Sequence, residues 1–379
     1  MKAKQPLRLI VSTGRLLTGL LVASVFAGCS STGELVSATV ATAPQQHIDM
    51  ALSGDALVVD LQAVSVEPAG QLLDLTPAMQ RFAERSVAGR RHQDQKVEAL
   101  HKALLLPESA GGMNIRYQSA ATHSPRDSFR LREANCLGFS LLFVSLARHV
   151  GLDAQVNDVT IPPTWNLSDN RVQFMRHVNT RVDLKFSRDD MIIDLDMENY
   201  RSYYPQRAID DNVAIAQFYN NRAMVLPANR DTLATRFVYL QRALSQAPEQ
   251  SYLWNNMAAL YSREGHFELA EALYLRALEL NPEDLTAILN LSELYRYTGQ
   301  HSLHRQLSEL ASRHRDRNPY YQYLLASELF DDASYELAAV KIETAIRRQP
   351  YEKRFYRLAA DIYQSLGDES KHRYAISQL

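Results

Sequence analysis

The chain has 379 residues, of which 46% are hydrophobic and 22% charged, and its formal net charge is −2. This length predicts two domains rather than one, with ample apolar material for buried cores. The near-neutral balance and the lack of a long basic tract argue against nucleic acid as a partner.

The first 28 residues are typical of a secretory signal in the order of their charged and apolar residues. A basic start containing Lys2, Lys4, Arg8 and Arg15 leads into an apolar run over 16–28. The run is too short to span a bilayer, which takes about 20 residues. We therefore predict that residues 1–28 form a signal peptide.

Cys29 ends the sequence Phe26-Ala27-Gly28-Cys29, which resembles the bacterial lipobox, although Phe26 replaces the usual aliphatic residue. The resemblance implies that Cys29 is lipidated and that the chain is anchored in the cell envelope. Ser30 rather than Asp follows the cysteine, which by resemblance to Gram-negative sorting rules favours the outer membrane, facing the periplasm. The alternative is an ordinary signal peptide cut near the same site. Residues 29–47 are rich in Ser, Thr and Ala and predict a flexible tether.

Residues 48–210 predict a domain of mixed helix and strand. The run 56–59 predicts a short strand, and Thr76 followed by Pro77 predicts the start of a helix. An amphipathic stretch over 95–106 predicts a second helix.

Cys136 is an unusual thiol for an exported chain, because the only other cysteine is Cys29. Apolar residues at helical spacing follow it, Asn135 is a candidate cap, and Gly151 ends the pattern. The free N–H groups and the dipole at a helix start favour a thiolate, which is what a cysteine nucleophile needs. The alternative is a small buried hydrophobic residue.

The segment 176–182 alternates as a strand and is followed by a polar turn and a second apolar strand, 191–196, which together predict a hairpin. A carboxylate on the second strand, Asp194 or Asp196, would then lie beside His177 and orient its imidazole. Arg176, Asn179 and Asn135 are candidates for supporting roles.

The chain combines a cysteine before a buried helix, the run Leu-Ala-Arg-x-x-Gly-Leu-Asp-Ala over 146–154, a His-led strand and an apolar strand ending in Asp. Together these features resemble the transglutaminase-like cysteine-hydrolase superfamily. The resemblance covers about residues 75–200. It implies an α+β papain/transglutaminase-like domain, with Cys136 as nucleophile, His177 as base and Asp194 as orienting acid, and with no metal or cofactor. Asn179 departs from the family, which often has an aromatic residue there. A papain-like cell-wall endopeptidase is a weaker alternative.

Residues 211–379 predict an all-α solenoid of helical repeats. Spacings of large and small residues match the tetratricopeptide pattern, as seen at Trp254, Ala258, Tyr261, Gly265, Ala270, Tyr274, Ala277 and Pro282. Asn281-Pro282 and Asn318-Pro319 predict helix starts. In the second repeat His304 stands where a small residue is expected. Such arrays bind peptides or proteins along a concave surface.

These features predict an envelope lipoprotein whose Cys136, His177 and Asp194 act on peptide or carboxamide bonds, by hydrolysis or acyl transfer. The repeats would bind a protein or peptide partner, and Cys29 would attach the chain to the membrane. The alternative is a catalytically inactive repeat scaffold for envelope assembly. A helix expected over 214–222 joins the two halves and would pack one against the other.

Overall fold

The computed structural model describes residues 42–160, 177–185, 190–195, 200 and 204–379, except the side chains of residues 314 and 315. Cys29, the predicted signal peptide and most of the predicted tether lie outside the described residues. Arg176 and Asp196 also lie outside them. Among the described residues, no helix has both the length and the apolar character needed to cross a bilayer.

Between residue 42 and the main sheet the structure describes five α-helices, and the fifth begins at Cys136. Their bounds are α1 Gln45–Ser53, α2 Pro77–Ser86, α3 Gln93–Leu105, α4 Pro125–Leu131 and α5 Cys136–His149. The Thr76 hydroxyl accepts a hydrogen bond from the Met79 N–H, which confirms the predicted helix start. The strand predicted over 56–59 is wrong. A single 3-10 turn, Asp55–Leu57, buries Leu57 and leaves Val58 exposed in a left-handed conformation.

A four-stranded antiparallel sheet packs against α5. Its strands are β3 Asp153–Val159, β4 His177–Asp183, β5 Met191–Ile193 and β6 Gln206–Ile209, in the spatial order β5-β4-β3-β6, and a separate parallel pair joins β1 Arg116–Tyr117 to β2 Glu133–Ala134. The predicted hairpin of β4 and β5 is present, with Thr180 opposite Ile193. Valines that alternate with His177, Asn179 and Arg181 along β4 enter the core.

The rest of the chain is helical and folds as antiparallel pairs of helices. The helices are α6 Asp211–Val225, α7 Arg230–Gln246, α8 Ser251–Arg263, α9 Phe267–Leu280, α10 Leu285–Tyr297, α11 His301–Arg317, α12 Pro319–Asp331, α13 Tyr335–Arg348, α14 Lys353–Leu366 and α15 Glu369–Ser377. The predicted all-α repeat array is therefore present, and each pair buries its small alanines where the helices approach most closely.

Of the two helix caps predicted in the repeats, one is present and the other is not. Asn318 caps α12 through its side chain, as expected. The start predicted at Asn281 is wrong, because Asn281 ends α9 and its side chain accepts from the Glu283 N–H in the connecting turn. Asp284 caps α10 instead, accepting from two backbone N–H groups.

One continuous core joins the sheet region to the first repeats. It runs from Ile48 to Ala311, whereas the last repeats bury a separate cluster between Ala326 and Ala375. Helix α1 packs on α9, and its Ala51 carbonyl accepts a 2.6 Å hydrogen bond from the Tyr261 hydroxyl. The sheet and the first repeats are thus packed as one body.

Candidate functional site

The start of α5 positions the Cys136 thiol. Asn135 is extended and caps the helix, since its Oδ1 accepts from the Gly138 N–H at 2.9 Å. Its Nδ2 donates to Thr122 Oγ1 at 2.7 Å, which ties the cap to the preceding loop. The partly exposed Cys136 therefore occupies the first helical position, as predicted, where backbone N–H groups lack intrahelical partners.

The structure brings Cys136, His177 and Asp194 together: Cys136 begins α5, His177 begins β4, and Asp194 directly follows β5. His177 Nε2 lies 2.5 Å from Asp194 Oδ2, and the Asp194 side chain is buried. The Cys136 side chain is also close enough to the His177 ring to contribute to its raised pKa. The imidazole is therefore held between a carboxylate and a thiol.

The neighbours of His177 determine its charge. Burial alone would lower the pKa of its imidazole, but hydrogen bonds to Asp194 and Cys136 outweigh that effect and raise the pKa to about 10. A buried carboxylate next to an imidazole stabilises the protonated ring. The arrangement therefore favours an imidazolium at neutral pH.

His101 on α3 contacts the backbone of Asp194, a contact that was not predicted from the sequence. Its Nε2 lies 3.2 Å from the Asp194 carbonyl oxygen, and its ring packs edge-on against Phe139 and Phe143. Burial lowers the pKa of His101, which favours a neutral ring that donates from Nε2 to the carbonyl. The only sequence signal that His101 is buried is its place between Leu100 and Leu104 in an amphipathic stretch.

Helix α6 connects the thiol site to the repeats. Near its start, Asp211 forms a two-pronged ion pair with Arg148 at the end of α5. Near its other end, Arg222 Nη1 donates to the Thr122 carbonyl at 3.4 Å. The helix expected over 214–222 is therefore present, and it contacts the loop that holds the cap of Cys136.

A row of asparagines crosses the first helices of successive pairs, and we call it the asparagine row: Asn220, Asn255, Asn256 and Asn290. Asn256 Nδ2 donates to Asn220 Oδ1 at 2.7 Å, and Asn290 Nδ2 donates to Asn255 Oδ1 at 2.9 Å. Asn256 and Asn290 are half-buried. This row was not predicted from the sequence, although its asparagines recur at the roughly 34-residue period of the repeats.

The remaining predicted residues have structural partners. Arg181 pairs with Asp190, and Asn179 accepts from Asn157 on the neighbouring strand. His304 replaces the expected small residue of its repeat by hydrogen bonding with Ser292 across the helix pair, Nδ1 to Oγ, at 3.0 Å.

A family model for the tetratricopeptide repeat matches residues 251–284, which cover α8 and α9. The chain carries tetratricopeptide repeats. A TPR repeat-containing protein of Treponema pallidum (strain Nichols) is 32% identical over 116 residues, or 29% of this chain. That match spans 14% of the length of the relative.

Several solved structures of tetratricopeptide proteins are similar to this chain at lower sequence identity. MamA of Desulfovibrio magneticus RS-1 is 17% identical, with 45% of this chain and 93% of that one covered and a TM-score of 0.26. YrrB, described as a TPR protein with an unusual peptide-binding site, is 12% identical, with 44% and 84% covered and a TM-score of 0.25. Likeness at this level does not identify a ligand or an activity.

Proposed function

We propose that this chain binds a protein or peptide through its repeats and acts on peptide or carboxamide bonds at a transglutaminase-like thiol site. The observation that supports the chemistry is that Cys136 at the start of α5 and Asp194 after β5 both adjoin the His177 ring. These residues come from separate parts of the sequence, in the order Cys, His, Asp that the resemblance implies. Among the described residues, the four-stranded sheet packed on a cysteine-bearing helix fits that α+β fold.

In this proposal the Cys136 thiolate attacks the carbonyl carbon of an amide, and the C–N bond breaks as the His177 imidazolium gives its proton to the leaving amine. A thioester remains on Sγ. Water then releases an acid, or a second amine releases a new amide. Asp194 keeps the imidazole in place and offsets its positive charge throughout.

The test uses the full-length chain carrying Cys29→Ser, so that Cys136 is its only thiol, and p-nitrophenyl acetate as an activated acyl donor. We expect a burst of one equivalent of nitrophenol and an acetyl group on the peptide that contains Cys136. Cys136→Ala should abolish both. A protein that releases nitrophenol no faster than its Cys136→Ala variant, and that carries no acetyl group, would exclude an acyl-enzyme.

The second candidate is a repeat scaffold without catalysis, and the matched repeat over 251–284 favours it. The comparisons favour this binding interpretation over the enzymatic one, because tetratricopeptide repeats serve as protein-binding surfaces. The asparagine row supplies half-buried amides suited to hydrogen-bonding a polypeptide. A photo-crosslinking residue in place of Asn290 should capture a partner in cells, and one in place of the exposed Tyr297 on the same helix should not. Equal capture at both positions would remove the asparagine row from the proposal.

We also propose that Cys29 carries lipid and attaches the chain to the outer membrane, facing the periplasm. The sequence of residues 1–30 supports this. Cells fed labelled palmitate should incorporate the label into the parent chain and not into Cys29→Ser. Labelling that persists in the variant would contradict lipid attachment at Cys29.

A further inference from the structure

Two buried asparagines on neighbouring strands have hydrogen-bonding atoms without a partner. Asn157 on β3 is directly opposite Asn179 on β4, and their side chains are 1% and 0% exposed. Asn157 Nδ2 donates to Asn179 Oδ1 at 2.8 Å and to Gln206 Oε1 at 2.9 Å. In the described part of the chain, nothing pairs with Asn157 Oδ1 or Asn179 Nδ2.

The unpaired atoms are one acceptor and one donor whichever way the amides are oriented. If both side chains were rotated by half a turn, Asn157 would present the donor and Asn179 the acceptor. A buried donor or acceptor without a partner destabilises the fold relative to a paired one. A strand pair of threonines or valines would avoid that cost, so the two amides point to a ligand that supplies the complementary groups.

An amide group is the chemical complement of this pair, since it carries one N–H donor and one carbonyl acceptor a short distance apart. Asn179 and His177 lie two residues apart on the same face of β4, or about 7 Å along the strand. Continuing the β4–β5 register past Thr180 and Ile193 puts Asp194 across from Asn179. The pair is therefore adjacent to the His177–Asp194 half of the candidate site.

We propose that Asn157 and Asn179 form a subsite for an amide group of the substrate, either a peptide unit of the main chain or a side-chain carboxamide. An amide held there lies one or two residues along a polypeptide from the bond that faces His177 and Cys136. The subsite selects amides over esters and carboxylates, because those ligands leave a buried acceptor unpaired. This inference rests on the proposed thiol site for its role, and its binding test does not depend on catalysis.

The test measures the thermal midpoint of the full-length Cys29→Ser chain with acetamide, N-methylacetamide or methyl acetate. We expect acetamide or N-methylacetamide to raise the midpoint by about 2 °C or more relative to the ester. The first represents a side-chain carboxamide and the second a peptide unit, so the stronger response identifies the source. The difference should vanish in Asn179→Leu and in Asn157→Leu and persist in the control Asn212→Leu, which changes an exposed asparagine on α6. Equal midpoints with amide and ester in the parent chain would overturn the proposal.

A second readout uses Cys136 itself. We expect the ratio of alkylation rates with iodoacetamide and iodoacetate to fall at least threefold in Asn179→Leu. An unchanged ratio would contradict an amide subsite beside the thiol. Failure of the proposed thiol site would give a different result, because His177→Ala would then leave both alkylation rates unchanged. The thermal test would still decide whether Asn157 and Asn179 bind amides.

Discussion

The charge on His177 determines what the candidate site can do. A ring held between Asp194 and Cys136 is protonated at neutral pH, since its pKa is raised to about 10. In the proposed reaction, an imidazolium beside a cysteine favours the thiolate that attacks a carbonyl. In the same proposal, the ring holds the proton that the leaving amine needs.

This raised pKa makes stability depend on pH. Because His177 binds its proton more tightly in the folded chain, its contribution is fully present below the unfolded pKa near 6.5 and is lost as pH rises through about 10. We expect the difference in unfolding free energy between the parent and His177→Gln to shrink from pH 6 to pH 10, by at most about 5 kcal/mol. Urea denaturation at several pH values measures it. A difference that stays constant or grows with pH would contradict the assignment.

The sequence predicts the position of a site residue where the neighbouring residues in the chain already determine its helix or strand. Asn135 and Cys136 stand at the start of an apolar helix, and His177 begins an alternating strand, so their positions follow from neighbours in the chain. His101 and Asn157 acquire their roles from Asp194 and Asn179, which are distant in sequence. No local pattern specifies such pairings.

At the scale of elements, α1 has a packing role that was not predicted from the sequence. Helix α1 begins at Gln45, within the stretch predicted as a tether, and packs into the first repeats. Gly54, which ends α1, has a φ of +81°, and an added Cβ would lie 2.7 Å from the Phe237 ring. This close approach comes from tertiary packing, which composition alone does not reveal.

Tyr261→Phe tests how α1 is held. The change removes the hydrogen bond to the Ala51 carbonyl and leaves that buried acceptor unpaired. We expect a loss of about 1 kcal/mol and amide hydrogen exchange in α1 that is about fivefold faster. The matched change Tyr297→Phe alters a side chain that is 71% exposed and should leave exchange unchanged. If α1 exchanged at the parent rate in Tyr261→Phe, this hydrogen bond would not be what holds it.

For the whole molecule, the described residues form two large cores, and a small third cluster joins Val159 of β3 to Tyr200 and Tyr204. The cluster from Ile48 to Ala311 includes the sheet and the first repeats, and the cluster from Ala326 to Ala375 belongs to the last repeats. Burial and Glu352 raise the pKa of Tyr320 on α12, and Tyr204 adds to that increase. The sequence predicted the repeat array, whereas its division into separate cores depends on tertiary packing.

Paired cavity variants test the division into two cores. Ile342 and Ile288 are both fully buried, one in each cluster. We expect Ile342→Ala to speed hydrogen exchange over 319–379 and to leave α1, the strands of the main sheet and the first repeats protected, with a local loss of about 2–5 kcal/mol. Ile288→Ala should have its main effect on α1, the sheet and the first repeats. Equal exchange in both regions for either variant would mean that the chain unfolds as a single unit.

The rate of Cys136 alkylation against pH tests most directly whether Cys136 and His177 form one activated pair. The full-length Cys29→Ser chain is treated with iodoacetamide between pH 5 and pH 10, alongside its His177→Ala and Asp194→Asn variants. We expect rapid alkylation of the parent chain at or below neutral pH. In His177→Ala the rate should follow an ordinary thiol, which ionises near pH 8.5, and Asp194→Asn should fall between the two. Slow alkylation of the parent chain, unchanged by His177→Ala, would mean a structural cysteine and would leave the repeat scaffold as the function of this chain.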